Sequence, residues 1–150
     1  MNAAIRVFGL IALAFLSGCE VSDSAIISSA ESAVSSILKD PSSGQFSGEF
    51  LIKAPPGKDG YQNVSVCGFV NAKNSFGAYA GASRFVVSLV LNDEQNILSA
   101  TSAVIDDGKD QATLTSAGTA RPQTVFEAVY WDAMCVDGSH PATYTGLSND

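Results

Sequence analysis

The sequence predicts an α+β domain: an N-terminal helix, an antiparallel sheet of four to five strands, and a C-terminal helix packed on the same sheet. Three observations predict it. Residues 24–40, SAIISSAESAVSSILKD, repeat apolar side chains at helical spacing. Residues 45–114 break into short runs that alternate apolar and polar, divided by turn sequences. Residues 121–135, RPQTVFEAVYWDAMC, open on a helix-capping signature.

In the first helix, Ile26, Ala30, Val34, Ile37 and Leu38 form one apolar stripe, with Ser and Glu on the other side. Serine is a mediocre helix former, so this helix depends on docking its stripe. Asp40-Pro41 ends it, because proline pushes its predecessor out of the helical region. In QFSGEFLIKA, Phe46, Phe50 and Ile52 share one parity and Glu49 and Lys53 the other. PPGKDG, 55–60, is a turn or loop. The next run alternates through Val64, Val66, Val70 and Ala72, with Cys67 and Phe69 on the opposite face. RFVVSLVL puts Phe85, Val87, Leu89 and Leu91 on one side. NDEQ, 92–95, turns the chain into NILSATSAVI, and DDGKD, 106–110, turns it again towards a short final strand, QATLT.

The second helix starts at a Thr-x-x-Glu box, Thr124 and Glu127, in which each side chain takes one free N–H of the first turn. Val125, Ala128, Val129 and Met134 are its expected buried face, and Gly138 its stop. No strand needs a long crossover, which points to an antiparallel meander with both helices on one face.

Ahead of the domain stands a short start bearing one cation, Arg6, and then ten uncharged residues, Val7 to Leu16. Ten residues are too few to cross a bilayer, which takes about 20, but they suit the apolar region of a secretory signal. The order Leu16-Ser17-Gly18-Cys19 resembles the lipobox of bacterial lipoproteins. The resemblance implies that residues 1–18 are removed as a signal peptide and that Cys19 carries the lipid, palmitate-type chains included. The membrane is then a partner through the anchor, since several acyl chains on one residue hold a protein stably. Resemblance to lipoproteins of enteric-type bacteria further implies, from Glu20 rather than Asp at the second mature position, sorting to the outer membrane, facing the periplasm or the cell surface. The expected organisation is a linker at 19–23, one domain at 24–138 and a tail at 139–150.

The 150-residue chain holds 8 Lys and Arg against 15 Asp and Glu, a net charge of −7. Loss of residues 1–18 removes only Arg6, leaving 132 residues and a balance of −8. That length supports one domain with a core. The acidic balance disfavours nucleic acid as a partner. With Cys19 lipidated, Cys67 and Cys135 are the two cysteines left, and export favours a disulfide between them. The alternative is two buried thiols acting as small hydrophobes.

No constellation carries chemistry. His140, the single histidine, reads as a solvated tail residue. The acidic groups at 93–94 and 106–110 fall at turns and lack the order of an EF-hand. No catalytic residue, metal ligand or cofactor motif is identified. The segments LKDPSSGQF, 38–46, and VCGFVNAKNSFGAYAG, 66–81, together with Arg84-Phe85, resemble a group of small exported bacterial and phage-borne proteins. Their chains read LKDP-x-S-x-x-F and CG-x-VNAKN-x-x-G-x-Y-x-G; Gly44-Gln45 is a minor departure. The resemblance implies a fold grouping and no activity.

Two functions fit. One is a non-enzymatic binding, inhibitor or accessory lipoprotein of the cell envelope, acting on another envelope protein. The other is a small carboxylate-dependent envelope hydrolase. For the first, NAKNSFGAYAGAS, 71–83, is the expected partner-binding loop. Phe76 and Tyr79 would be its anchors and Asn71, Lys73 and Asn74 its polar contacts. The competing expectation is that both rings fold back onto the sheet.

Overall fold

The computed structural model describes residues 20–108, 111–114 and 123–142. Residues 1–18, expected as a signal peptide, Cys19 and the last eight residues of the expected tail lie outside them. Helix α1, Asp23–Ile37, is followed by a 3-10 turn, Pro41–Ser43. Four strands then run as a meander: β1 Gln45–Lys53, β2 Gln62–Lys73, β3 Tyr79–Asn92 and β4 Ile97–Ile105. Each pairs antiparallel with the next, in the order β1-β2-β3-β4. The short strands β5, Gln111–Leu114, and β6, Gln123–Thr124, pair with each other and not with this sheet. The C-terminal helix begins as a π-helical stretch, Phe126–Trp131, and continues into one α-helical turn, Asp132–Met134.

The folded unit takes in residues 21–23 of the linker expected at 19–23. Ser22 caps α1 by accepting a hydrogen bond from the Ala25 amide, and Val21 packs against the core. Ile26, Ala30 and Val34 are fully buried against Val64, Val66, Phe85, Val87 and Leu89. These helix positions are spaced by four, so the stripe continues to Leu38 and leaves Ile37 exposed. The helix stops at Ile37, ahead of Asp40-Pro41, and the Asp40 carboxylate instead caps the 3-10 turn at the Ser42 amide.

The two helices share the sheet but take opposite faces, which corrects the expectation of one face. α1 covers the face of Val64, Val66 and Phe85. The C-terminal helix covers the other, where Phe126, Trp131 and Cys135 pack with Cys67 and Val86. A disulfide joins Cys67 to Cys135, with Cα atoms 5.9 Å apart, and it ties the helix to β2.

Two details of parity differ from expectation. In β1, Gly48 and Glu49 stand opposite the single residue Gly68, and Gly48 has φ 64°. This bulge shifts the alternation, so Phe46 and Leu51 join the α1 face while Phe50 faces Trp131. In the C-terminal helix, Phe126, Glu127 and Trp131 are buried, and Val125 and Val129 are exposed. The i→i+5 bonding, seen in the Asp132 amide donating to the Glu127 carbonyl, widens the turn. Residues five apart, Phe126 and Trp131, then share a side, which an α-helical wheel does not foresee.

His140 is partly docked, with its side chain 39% exposed. Its ring stacks on Phe50 at 3.8 Å and 6°. Its Nδ1 lies 2.9 Å from the Asp137 carboxylate, which also accepts from the Ser139 and His140 amides. Those bonds, the Ser139 amide first, hold the Asp137 carboxyl below its usual range. Packing therefore continues past Gly138 to His140.

Candidate functional site

The stretch expected as a loop at 71–83 is mostly strand. Asn71, Ala72 and Lys73 end β2, and Tyr79 to Ser83 begin β3. Between them lies a short turn. The Asn74 amide donates to the Ala78 carbonyl at 2.9 Å, and the Gly77 amide to the Asn74 carbonyl at 2.9 Å. Gly77 has φ 79°, a left-handed conformation that glycine adopts without strain. A tight turn closed by such a residue is a common hairpin connection. The Asn74 Oδ1 accepts from the Phe76 amide at 2.9 Å and the Ala78 amide at 3.2 Å. Its side-chain oxygen therefore helps to build the turn.

Phe76 stands at the apex with 94% of its surface exposed, and Tyr79 is 44% exposed. Neither ring folds back into the core. The Lys73 ammonium lies 5.9 Å from the Tyr79 ring centroid, a cation–π arrangement that keeps the charge beside the aromatic. Asn71 is half-buried, and its Oδ1 is enclosed with no hydrogen-bond partner among the described residues. The structure thus sets Lys73 beside Tyr79 at the strand ends, with Phe76 exposed in the turn between them and the Asn74 Oδ1 engaged in building that turn.

The base of the hairpin is held by the segments whose motifs stood out in the sequence. The Lys73 amide donates to the Ser43 hydroxyl at 3.0 Å, and that hydroxyl donates to the Asp40 carbonyl at 2.8 Å. Hydrogen bonds from Ser42 hold the Asp40 carboxyl below its usual range, with Lys73 adding to the effect. Phe46 meets Phe85 edge to face at 5.8 Å. Gly68 lies where a Cβ would stand 3.0 Å from the Phe85 ring and 3.2 Å from the Glu49 Cα. The two motif segments are therefore neighbours, and their shared residues brace the hairpin.

Below the tip on the face of the C-terminal helix lies a charged cluster that sequence reasoning missed. Arg84 donates to the Asp106 carboxylate at 2.7 and 3.1 Å and reaches Glu127 at 3.3 Å. Its guanidinium lies 5.3 Å from the ring centroids of both Phe126 and Trp131. Glu127, with its side chain 2% exposed, also completes the capping box: it accepts from the Thr124 amide, and Thr124 Oγ1 accepts from the Glu127 amide, both at 3.0 Å. The box expected from Thr124 and Glu127 is present, and Glu127 serves the cluster as well. Phe69, 39% exposed, lines a shallow depression beside it with Ala82, Ser83 and Arg84. The available signal was the opposite parity of Phe69 to the valines of β2.

Elsewhere, Glu31 on α1 faces Glu49 in the β1 bulge. Burial and then the Glu49 charge push the Glu31 carboxyl above its ordinary value of 4.5. Among the described residues, no three His, Cys, Asp or Glu side chains group as metal ligands would, and no helix is long and apolar enough to cross a membrane. No protein-family model matches the chain, and neither does a curated protein or a solved structure.

Proposed function

We propose that this chain is a cell-envelope lipoprotein, anchored through Cys19 in the outer membrane, that binds another envelope protein through the β2–β3 hairpin and acts without catalysis as a binding, inhibitor or accessory protein. The observation that carries the reading is Phe76, a large aromatic ring 94% exposed at the apex of a braced turn. An exposed aromatic has no folding benefit in the free protein, whereas aromatics on ordered supports contribute much of the energy at interfaces. Tyr79 and Lys73 add an amphipathic ring and a cation within the same patch. The half-buried Asp106 and the buried Glu127 both engage Arg84, which supports the binding reading over a carboxylate-dependent hydrolase.

The test uses the lipid-free chain, residues 20–150, with a photo-crosslinking residue at 75, applied to envelope extract. A discrete adduct is expected from the parent protein. The Phe76→Ala, Tyr79→Ala double variant should lose that adduct at an unchanged denaturation midpoint. An adduct of equal yield from the double variant refutes the site.

A further inference from the structure

The structure fixes where the chain leaves the domain, and this bears on how the protein stands on its membrane. The Val21 amide donates to the Asp93 carboxylate at 2.8 Å, in the turn between β3 and β4. Asp23 pairs with Lys53 at the end of β1. Glu20 lines one shallow depression with Lys58 and Asp59 of the β1–β2 loop and Asp93 and Glu94 of the β3–β4 turn. The chain therefore emerges between these two connections, at one end of the sheet. The same end is tied together. Asn92, 1% exposed, donates to the Asp59 carbonyl and accepts from the Gln95 amide, and the Tyr61 hydroxyl reaches Gln95 at 3.1 Å.

Because the strands form a meander, the β2–β3 hairpin with Phe76 lies at the opposite end. β2 has 12 residues. At about 3.3 Å per residue, the two ends are roughly 40 Å apart. Two residue steps separate Cys19 from Val21 in the chain, and at about 3.8 Å per step they make a tether of at most about 8 Å. A tether that short leaves the domain little freedom to roll over.

We propose that, on the acylated protein, the end formed by the β1–β2 loop and the β3–β4 turn faces the lipid headgroups, and that the Phe76 hairpin is held roughly 40 Å away from them. This rests on the reading of Cys19 as the lipid-bearing residue. The occupant of that end face is the headgroup layer of the anchoring bilayer. Charge does not create the contact: Glu20, Asp59, Asp93 and Glu94 outnumber Lys58, so anionic lipid would repel this end. The short tether sets the orientation, which is accordingly insensitive to salt. The partner it fits is a protein whose binding surface stands in the aqueous space at that height. A lipid or a membrane-embedded ligand would be out of reach of Phe76.

The full-length acylated protein, reconstituted in zwitterionic phosphatidylcholine vesicles with headgroup-attached nitroxide lipids, tests this. A fluorophore is placed through a non-cysteine handle at Lys58 or at Ser75, both exposed. Most of the emission at 58 should be lost to the quencher and that at 75 retained, in low and in high salt. Equal quenching at both sites on vesicle-bound protein overturns the orientation and leaves the lipid reading standing. Protein that does not bind vesicles, with an unacylated Cys19 peptide by mass, overturns the lipid reading and the orientation with it. A flexible Gly/Ser segment inserted between Glu20 and Val21 should erase the contrast while binding persists. If the contrast survives the insertion, the short tether is not its cause and the proposal fails.

Discussion

Cutting the Cys67–Cys135 bond should release the C-terminal helix from the sheet before the sheet itself unfolds. The bond closes a loop of 68 residues that contains β3 and β4. The chain-entropy relation gives about 4 kcal/mol for a loop of that size, an upper figure because native strain subtracts. For a domain of this length, that corresponds to a melting temperature lower by roughly 15 °C. The bond is the covalent link between β2 and a helix whose other buried anchors are Phe126 and Trp131. Both cysteines are fully buried, so Cys67→Ala with Cys135→Ala also leaves space where the sulfurs were. Reduced wild-type protein separates the two effects, since it keeps the sulfurs. The readout is built in, because Trp131 is the single tryptophan and is 5% exposed. Reduction should shift its emission to the red at denaturant concentrations where far-ultraviolet circular dichroism still reports an intact sheet. Coincident transitions, or a midpoint unmoved by reductant, would refute the reasoning that this bond holds the helix in place.

Two further perturbations follow from the packing. Gly68→Ala puts a methyl 3.0 Å from a fully buried Phe85 ring and 3.2 Å from the Glu49 backbone, which should cost about 1–3 kcal/mol; an unchanged urea midpoint would show that the bulge yields freely. The Glu31 carboxyl titrates above its ordinary 4.5 in the folded protein, so the folded state holds the proton more tightly. Stability then falls as pH rises from 4.5 through the raised value and stays lowered above it. Glu31→Gln should therefore raise the urea midpoint at pH 7, with the gain disappearing below the ordinary carboxylate range, and a variant no more stable at pH 7 would contradict this.

Element type was legible wherever one period dominated. The i, i+4 spacing of Ile26, Ala30 and Val34 and the alternation of Phe85, Val87, Leu89 and Leu91 each read directly onto the α1 face. The capping box of Thr124 and Glu127 was legible because it is local chemistry. What escaped depends on contacts between distant segments or on a change of period. The bulge at Gly48-Glu49 reverses the faces of everything after it, and only the pairing with Gly68 reveals it. The π-helical stretch defeats an α-helical wheel and exchanges Phe126 and Trp131 for Val125 and Val129 as buried residues. The small residues Ala80, Gly81 and Ala82 carry no strand signal of their own; Ala82, like Tyr79, becomes strand because Asn71 and Lys73 of β2 pair with them. The Phe50–His140 stack joins residues with no sequence relation. At the tip, an exposed aromatic pair was legible, but the division of labour at Asn74 between building the turn and meeting a partner was not.

That division can be tested at Asn74. Its Oδ1 accepts from the Phe76 and Ala78 amides, so the side chain sets the direction in which Phe76 leaves the turn. Asn74→Ala removes an acceptor shared by two amides, which solvent then satisfies at this exposed position. The net loss should be about 1 kcal/mol, because exposed amides are not left unpaired. Asn74→Asp keeps an oxygen where Oδ1 stands and should keep the turn. If Asn74 were a contact, both substitutions would weaken capture of the partner, since each removes the amide NH2. If it positions the tip, Asn74→Ala should weaken capture and lower the denaturation midpoint together, and Asn74→Asp should preserve both. Phe76→Ala offers the contrast: it should abolish capture with the midpoint unmoved, because a ring 94% exposed has almost no packing to lose. Amide exchange at Phe76 and Ala78 gives a readout independent of the partner. Faster exchange in the alanine variant and unchanged exchange in the aspartate variant is the expected pattern. Equal exchange in both would show that the backbone bonds from Asn74 to Ala78 and from Gly77 to Asn74 hold the turn without the side chain.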